Sequence, residues 1–448
     1  MMNSDQYLST QSAVAVRPTP VSGKERIRSL DILRGVAILG ILVMNIYAFA
    51  MPFPAYGNPL VMGSTEMHNL GTWFVTHFFF DQKFLSIFAM LFGAGIVIMS
   101  DRAAQRGAKP ARIYYRRQLW LLMIGAVHAY LIWFGDILFA YAMVGMVAYL
   151  FRKRVQRTLL IIGCALIVFT LFLSYGFSFV VEDMRKKAGE YAELAESGED
   201  LSGEQRDKIE QWKAMRAMMA PTPEDIRDDL DAYRGNYFDV LLHRAPIVVQ
   251  MQQGTFFFGW RILGLMLIGM ALMKSGMLSG EKTADFYRKL MLGSYGLGLP
   301  LTVFSGLDLY AHQFDPGYAM RYGYIANSIG SVLVALGHIG LVMLIVTTGF
   351  VPRLMQRFAA VGRMALSNYL LHSLLLTSVF YGYGLGLYGQ IPRFWQMGFV
   401  IGVIALQLLL SPWWLSRYRF GPVEWLWRSM TYGRWQPMRQ AQNIGKRR

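Results

Sequence analysis

Arg28-Ser-Leu-Asp31-Ile-Leu-Arg34-Gly35, running on through Val36 to Met44 and stopped by Asn45, is the stretch from which the rest of this 448-residue chain is read. It opens the first long hydrophobic segment with a carboxylate and a guanidinium already inside it. A charge near the bilayer centre costs about 3 kcal/mol on insertion scales, and a plain anchor needs neither group. On a helix, eleven residues at about 100° each bring Asn45 back to within about 20° of Arg34, some ~16 Å further along. One helix face therefore carries Asp31, Arg34 and Asn45 as a polar stripe.

The composition around it is that of a membrane protein: 54% hydrophobic and 16% charged, with a positive mean hydropathy. Apolar runs predict an all-α polytopic protein of about ten transmembrane helices: 30–50, 72–99, 119–134, 137–151, 159–181, 255–273, 290–310, 325–351, 365–388 and 394–415. Every second loop is rich in Lys and Arg, among them 102–117, 152–157 and 353–363, and the intervening loops hold few. By the positive-inside rule both termini lie in the cytoplasm. The net charge of +16 is then topological, and nucleic-acid binding does not follow from it.

Residues 1–29 read as a disordered cytoplasmic leader, 30–181 as helices one to five, 251–416 as helices six to ten, and 417–448 as a basic interfacial tail. Between the two helical halves, 182–250 is a charged extracytoplasmic helical insertion, where Glu182 to Asp239 holds 16 of the 28 acidic residues. A cleavable signal peptide is disfavoured, because the first apolar run is long, charged and far from the start. The single cysteine, Cys164, permits neither an intramolecular disulfide nor a cysteine metal cluster, and no phosphate loop or His-Glu-x-x-His motif is present.

Ionisable groups inside membrane helices must face protein or a water-filled cavity. Asp31 pairs with a neighbouring arginine or snorkels; His77 and Asp81 share a face, with Lys83 reaching toward another helix. His128 lies in the extracytoplasmic half of the third span, with Asp136 at that surface, and offers a general base or a packing hydrogen bond. Asn327 and His338, eleven apart, serve packing. Asn368 and His372, four apart, share a face that can line the cavity of the first helix. Pro422 starts a tail helix in which Glu424 and Arg428 have the spacing of an i, i+4 pair.

Read together, these segments resemble the bacterial YeiB-type inner-membrane family of unknown function. The resemblance is carried by Arg28 to Gly35, Asp81 to Ser86 with Leu91 to Gly95, His128 through Asp136, Gly362 to Leu370 and Gly421 to Arg428. The first helix is also similar to the transmembrane acyltransferase superfamily, which includes polysaccharide O-acyltransferases and the lysosomal heparan glucosaminide N-acetyltransferase. In the O-acyltransferases a histidine stands where this chain has Asn45; the glucosaminide enzyme resembles this chain there and has its histidine in the following loop, where this chain has His68.

The resemblance implies a multi-pass protein of the bacterial inner membrane that moves an acyl group from cytoplasmic acyl-CoA, as co-substrate and without a metal, to a small-molecule or glycan acceptor. His128 or His68 would deprotonate the acceptor and Asn45 would bind the developing oxyanion. Asp31, Arg34, Asp81, Lys83, Asp136, Asn368 and His372 would line the donor and acceptor paths. The lipid bilayer is its expected partner, nucleic acid is not, and a homo-oligomer is allowed. A transporter or flippase without covalent chemistry uses the same polar stripe and is the competing reading.

Overall fold

The computed structural model describes residues 27–62, 66–105 and 110–440; most of the expected leader and the end of the basic tail lie outside the described residues. Among the described residues the chain is helical throughout. In order the helices are α1 (Arg28–Ala50), α2 (Met67–Phe79), α3 (Lys83–Gln105), α4 (Pro110–Val127), α5 (Leu138–Ala148), α6 (Gln156–Glu196), α7 (Gly203–Met219) and α8 (Pro223–Arg234). There follow α9 (Tyr237–Lys274), α10 (Ala284–Ala311), the single turn α11 (Pro316–Tyr318), α12 (Tyr324–Thr348), α13 (Pro352–Arg363), α14 (Ala365–Phe380), α15 (Arg393–Arg417) and α16 (Pro422–Tyr432).

Seven helical segments are long and apolar enough to cross a membrane: α1, α2 with α3, α6, α9, α10, α11 with α12, and α15. Two more expected spans, 137–151 and 365–388, contain the shorter apolar helices Leu138–Phe151 and Ala365–Phe380. The remaining one, 119–134, is the apolar second half of α4, whose first half carries Arg112, Arg116 and Arg117. The expected second span is broken: Gln82 takes a left-handed φ of 61° between α2 and α3, so Lys83 starts a new helix.

Burial separates the helices by role. α1 has 89% of its apolar window buried, against 22% for α6 and α15, which present Phe172, Phe179, Ile401 and Leu409 outward. A helix buried on nearly all sides lies inside its bundle, and α1 is the axis. Glycines allow that: a Cβ on Gly35 would run into the Phe358 carbonyl, and one on Gly362 into the Asp31 carbonyl. The glycine after Arg34 thus lets α13 lie against α1 backbone to backbone.

In the charged insertion α6 and α9 run on past their apolar portions, and α7 and α8 are closed by Ser202/Gln205 and Thr222/Asp225 capping boxes.

Candidate functional site

A cavity of about 300 Å³ lies against the N-terminal half of α1. Along α3 its wall runs from Phe88 to Ala103, about 22 Å of helix. It is therefore long and narrow. Arg34, Arg102, Arg117, Arg363 and Arg428 line it with only two carboxylates, Asp31 and Glu424, while Leu91, Phe92, Leu121, Ile137, Tyr141 and Tyr369 supply apolar and aromatic wall. Five guanidinium groups against two carboxylates favour an anion, and the remaining wall favours an apolar group joined to it.

The lining is held by contacts between helices. Arg34 Nη1 lies 3.3 Å from Asp31 Oδ1, one turn back on α1. The Arg117 guanidinium stacks 4.2 Å over the Trp427 ring, whose indole N–H donates to the Arg117 carbonyl at 2.9 Å, fastening α16 to α4. The Glu424 carboxylate goes to the start of α14, accepting from Leu366 N–H (2.7 Å), Ser367 N–H (3.1 Å) and Ser367 Oγ (2.5 Å). It caps a helix whose own cap residue, Met364, donates no side-chain oxygen. Burial pushes this carboxyl above its usual value, and the hydrogen bonds from Ser367 and Leu366 oppose the rise only in part.

At the aromatic end, α4 loosens into a π-helical turn, His128–Ile132, closed by the Trp133 N–H on the His128 carbonyl at 2.9 Å. Such turns recur at functional sites because they re-aim a side chain. Here the turn presents His128 to two partners: Nδ1 lies 2.6 Å from Asp136 Oδ2, and Nε2 lies 2.8 Å from Ser373 Oγ on α14. Asp136 Oδ1 accepts the Phe139 N–H at 2.7 Å, so both carboxylate oxygens are used. An ionised carboxylate only accepts, so a neutral imidazole here carries its proton on Nδ1, and in that tautomer Nε2 accepts from the Ser373 hydroxyl.

Tyr369 lines the cavity and packs against this row. It lies four residues before Ser373 on α14, its ring centroid is 5.2 Å from that of His128, and its hydroxyl donates to Gly135 O (3.1 Å) and accepts from Ile137 N–H (3.2 Å).

Of the residues singled out from the sequence, Asp31 and Arg34 line the cavity, and His128 with Asp136 stands directly behind it. Asn45 is buried about 16 Å along α1 from Arg34, in the part of the helix that does not line the cavity, and both His128 nitrogens are taken by other groups. His68 is half exposed on α2, 3.2 Å from Glu66 and edge-on to Phe394. Asn368 and His372 do share a face, but it meets α15: Asn368 donates to Ser411 (3.1 Å) and His372 bonds Gln407 (2.9 Å).

Asp81 and Lys83 form a second polar centre. Asn327 donates to Asp81 at 2.8 Å, Lys83 donates to Asn327 and to the His77 carbonyl, and His77 Nδ1 lies 3.4 Å from Asp81. Arg261 of α9 reaches Ser86 and Ser331 beside it.

Sequence reasoning missed Ser373 and the arginines beyond Arg34. The signal for Ser373 was present, since Tyr369 and Ser373 stand four apart on a helix already marked by polar residues. Nothing in the sequence distinguished that face from the neighbouring one of Asn368 and His372.

A family model described as a protein of unknown function, DUF418, matches residues 272–434, which cover α10 to α16 and hence Tyr369, Ser373 and Glu424. The chain is 31% identical to the uncharacterized protein YxaH of Bacillus subtilis (strain 168) over 95% of this chain and 99% of that one. It is 32% identical to the uncharacterized protein YeiB of Escherichia coli (strain K12) over 91% of this chain and 96% of that one. An uncharacterized 39.9 kDa protein in the amylase 3' region of Bacillus acidopullulyticus is 25% identical over 94% and 97%. No solved structure matches the chain.

Proposed function

The chain belongs to the YeiB-like DUF418 family, and from that premise we propose that it is a membrane-embedded acyltransferase that takes its acyl group from a cytoplasmic acyl-CoA and delivers it to a hydroxyl or amine acceptor at the bacterial cell envelope. The observation that carries this reading is the cavity with arginines along an otherwise aromatic and aliphatic wall. Acyl-CoA has that polarity in reverse: a phosphate-bearing head for Arg34, Arg102, Arg117, Arg363 and Arg428, and an acyl thioester for the wall of Phe88, Ile137 and Tyr141. The basic loops, in the cytoplasm by the positive-inside rule, put the same side of the membrane at the donor's disposal. His128, oriented by Asp136, is the base that packs against Tyr369 of the cavity wall, toward which the thioester would point.

The test is retention of labelled acetyl-CoA by the full chain in nanodiscs, followed by transfer to envelope glycans or small amines. Arg34→Gln is expected to weaken retention about tenfold or more, because a charge-assisted hydrogen bond contributes about 1.5–3 kcal/mol. Intact protein that retains no acyl-CoA of any chain length rules the reading out.

A transporter or flippase of an amphipathic anion is the second reading, and the Asp81–Lys83–Arg261 centre favours it, because transport coupled to ions uses charges buried in the bundle. Uptake of an anionic solute into proteoliposomes, lost in Lys83→Met with the fold intact, would select it.

A further inference from the structure

Asp136, His128 and Ser373 form a continuous row of hydrogen bonds, 2.6 and 2.8 Å long, at the aromatic end of the cavity. The row is closed: His128 is 1% exposed and Ser373 is fully buried. With the Nδ1 proton toward the carboxylate, Nε2 of the neutral imidazole is left to accept from the serine hydroxyl. A row of this kind takes a proton from a hydroxyl as its oxygen attacks. A mere packing bond between α4 and α14 needs no carboxylate on the far nitrogen.

We propose that Ser373 is a nucleophile, activated by His128 and Asp136, that carries the acyl group as an oxygen ester between donor and acceptor. The identity of the donor rests on the acyltransferase reading above; the nucleophile does not.

Ser373 Oγ attacks the thioester carbonyl and its proton passes to His128 Nε2. The C–S bond breaks, and the thiol leaves with that proton. The acceptor's hydroxyl or amine then gives its proton to His128 and attacks the ester, the Oγ–acyl bond breaks, and the proton returns to Ser373.

Tyr369 sets the access. It lines the cavity while Ser373, one turn along the same helix, does not, and its ring packs 5.2 Å from that of His128, so it is the side chain that touches both the cavity and the row. Its hydroxyl occupies the Ile137 N–H. When the ring swings aside, that N–H is freed as a donor for a developing oxyanion.

The experiment labels the full-length protein in nanodiscs with a fluorophosphonate, which reports an activated serine whatever the natural donor, and with radiolabelled acetyl-CoA in parallel; peptide mapping locates both. The fluorophosphonate is expected on Ser373, faster in Tyr369→Ala, absent in Ser373→Ala, and slowed about 10²-fold or more in His128→Ala and Asp136→Asn. The acetyl label on Ser373 is expected to survive neutral hydroxylamine and yield to alkaline hydroxylamine, as an oxygen ester does. Ser373→Cys in a Cys164→Ser background keeps the shape and is expected to exchange fluorophosphonate reactivity for maleimide reactivity.

Labelling by the fluorophosphonate with no binding of acetyl-CoA supports the nucleophile and removes the donor. Binding of acetyl-CoA with neither label on Ser373, in wild type and in folded Tyr369→Ala alike, overturns the nucleophile and leaves the donor.

Discussion

The bundle buries two polar centres that look alike by composition and differ in what surrounds them. The Asp81–Lys83 centre, at the break between α2 and α3, satisfies its charges internally: Lys83 is fully buried and donates to Asn327 and a backbone carbonyl, and Asp81 accepts from Asn327. None of its side chains borders the cavity. The Asp136–His128–Ser373 row is equally buried, but one aromatic ring away an arginine-lined cavity begins. Charge inside an apolar bundle therefore does not by itself mark chemistry. A ligand must be able to reach it.

The largest effect should come from the sealed centre. Lys83→Met removes one of the two cations beside the Asp81 carboxylate and leaves the Asn327 amide oxygen without its donor, and disrupting a buried charged network costs about 3–5 kcal/mol. Thermal unfolding in detergent should show a large loss that Asp81→Asn in the same chain partly restores, with acyl-CoA retention per folded molecule unchanged. Loss of retention with stability intact would erase the distinction between the two centres.

Arg117→Ala acts in the opposite sense. Retention of an anionic donor should fall about tenfold or more, since the cavity loses a cation as well as its stack on Trp427. Unfolding should move less than in Lys83→Met, and an equal fall in stability would make Arg117 another member of the packing.

A smaller change tests the link between them. Gly35→Ala forces a methyl group into the Phe358 carbonyl, so α13 must move off α1; overpacking of this kind costs about 1–3 kcal/mol. Because α13 carries Arg363 and α1 carries Asp31 and Arg34, donor retention should fall together with stability.

The smallest effect is a slope. Glu424 is held above the ordinary carboxylate range by burial, so the folded protein binds its proton more tightly than the unfolded chain does. Its contribution is fully present below the unfolded value near 4.5 and is lost as pH rises through the higher folded value, by at most about 1.4 kcal/mol per pH unit. Melting curves of Glu424→Gln across that window should be flatter than those of the wild type, and an unchanged slope would show that Glu424 does not set it.

Much of this was legible in the chain. The polar stripe on α1 led to Asp31 and Arg34, and both line the cavity. The motif His128 through Asp136 named two members of the hydrogen-bonded row with Ser373. Helix periodicity also put Asn368 and His372 on one face correctly, yet that face meets Gln407 and Ser411, because the neighbour of a face is not encoded in its spacing. Asn45 shares the stripe of Arg34, but the cavity does not extend that far. Glu424 had the spacing of a pair with Arg428; what that spacing does not show is that its carboxylate also caps the open N-terminus of α14, accepting from two N–H groups and a hydroxyl.

The sequence by itself determined a helical chain with membrane-length apolar segments and the position of charges within them. Those follow from hydropathy and a 3.6-residue period, which are local. Only the tertiary structure decided that α1 is the buried axis, that five arginines from five helices share one cavity, and that Ser373 meets a histidine 245 positions earlier. Such meetings depend on how closely helix backbones approach, as at Gly35 and Gly362, and no local pattern in the chain records them.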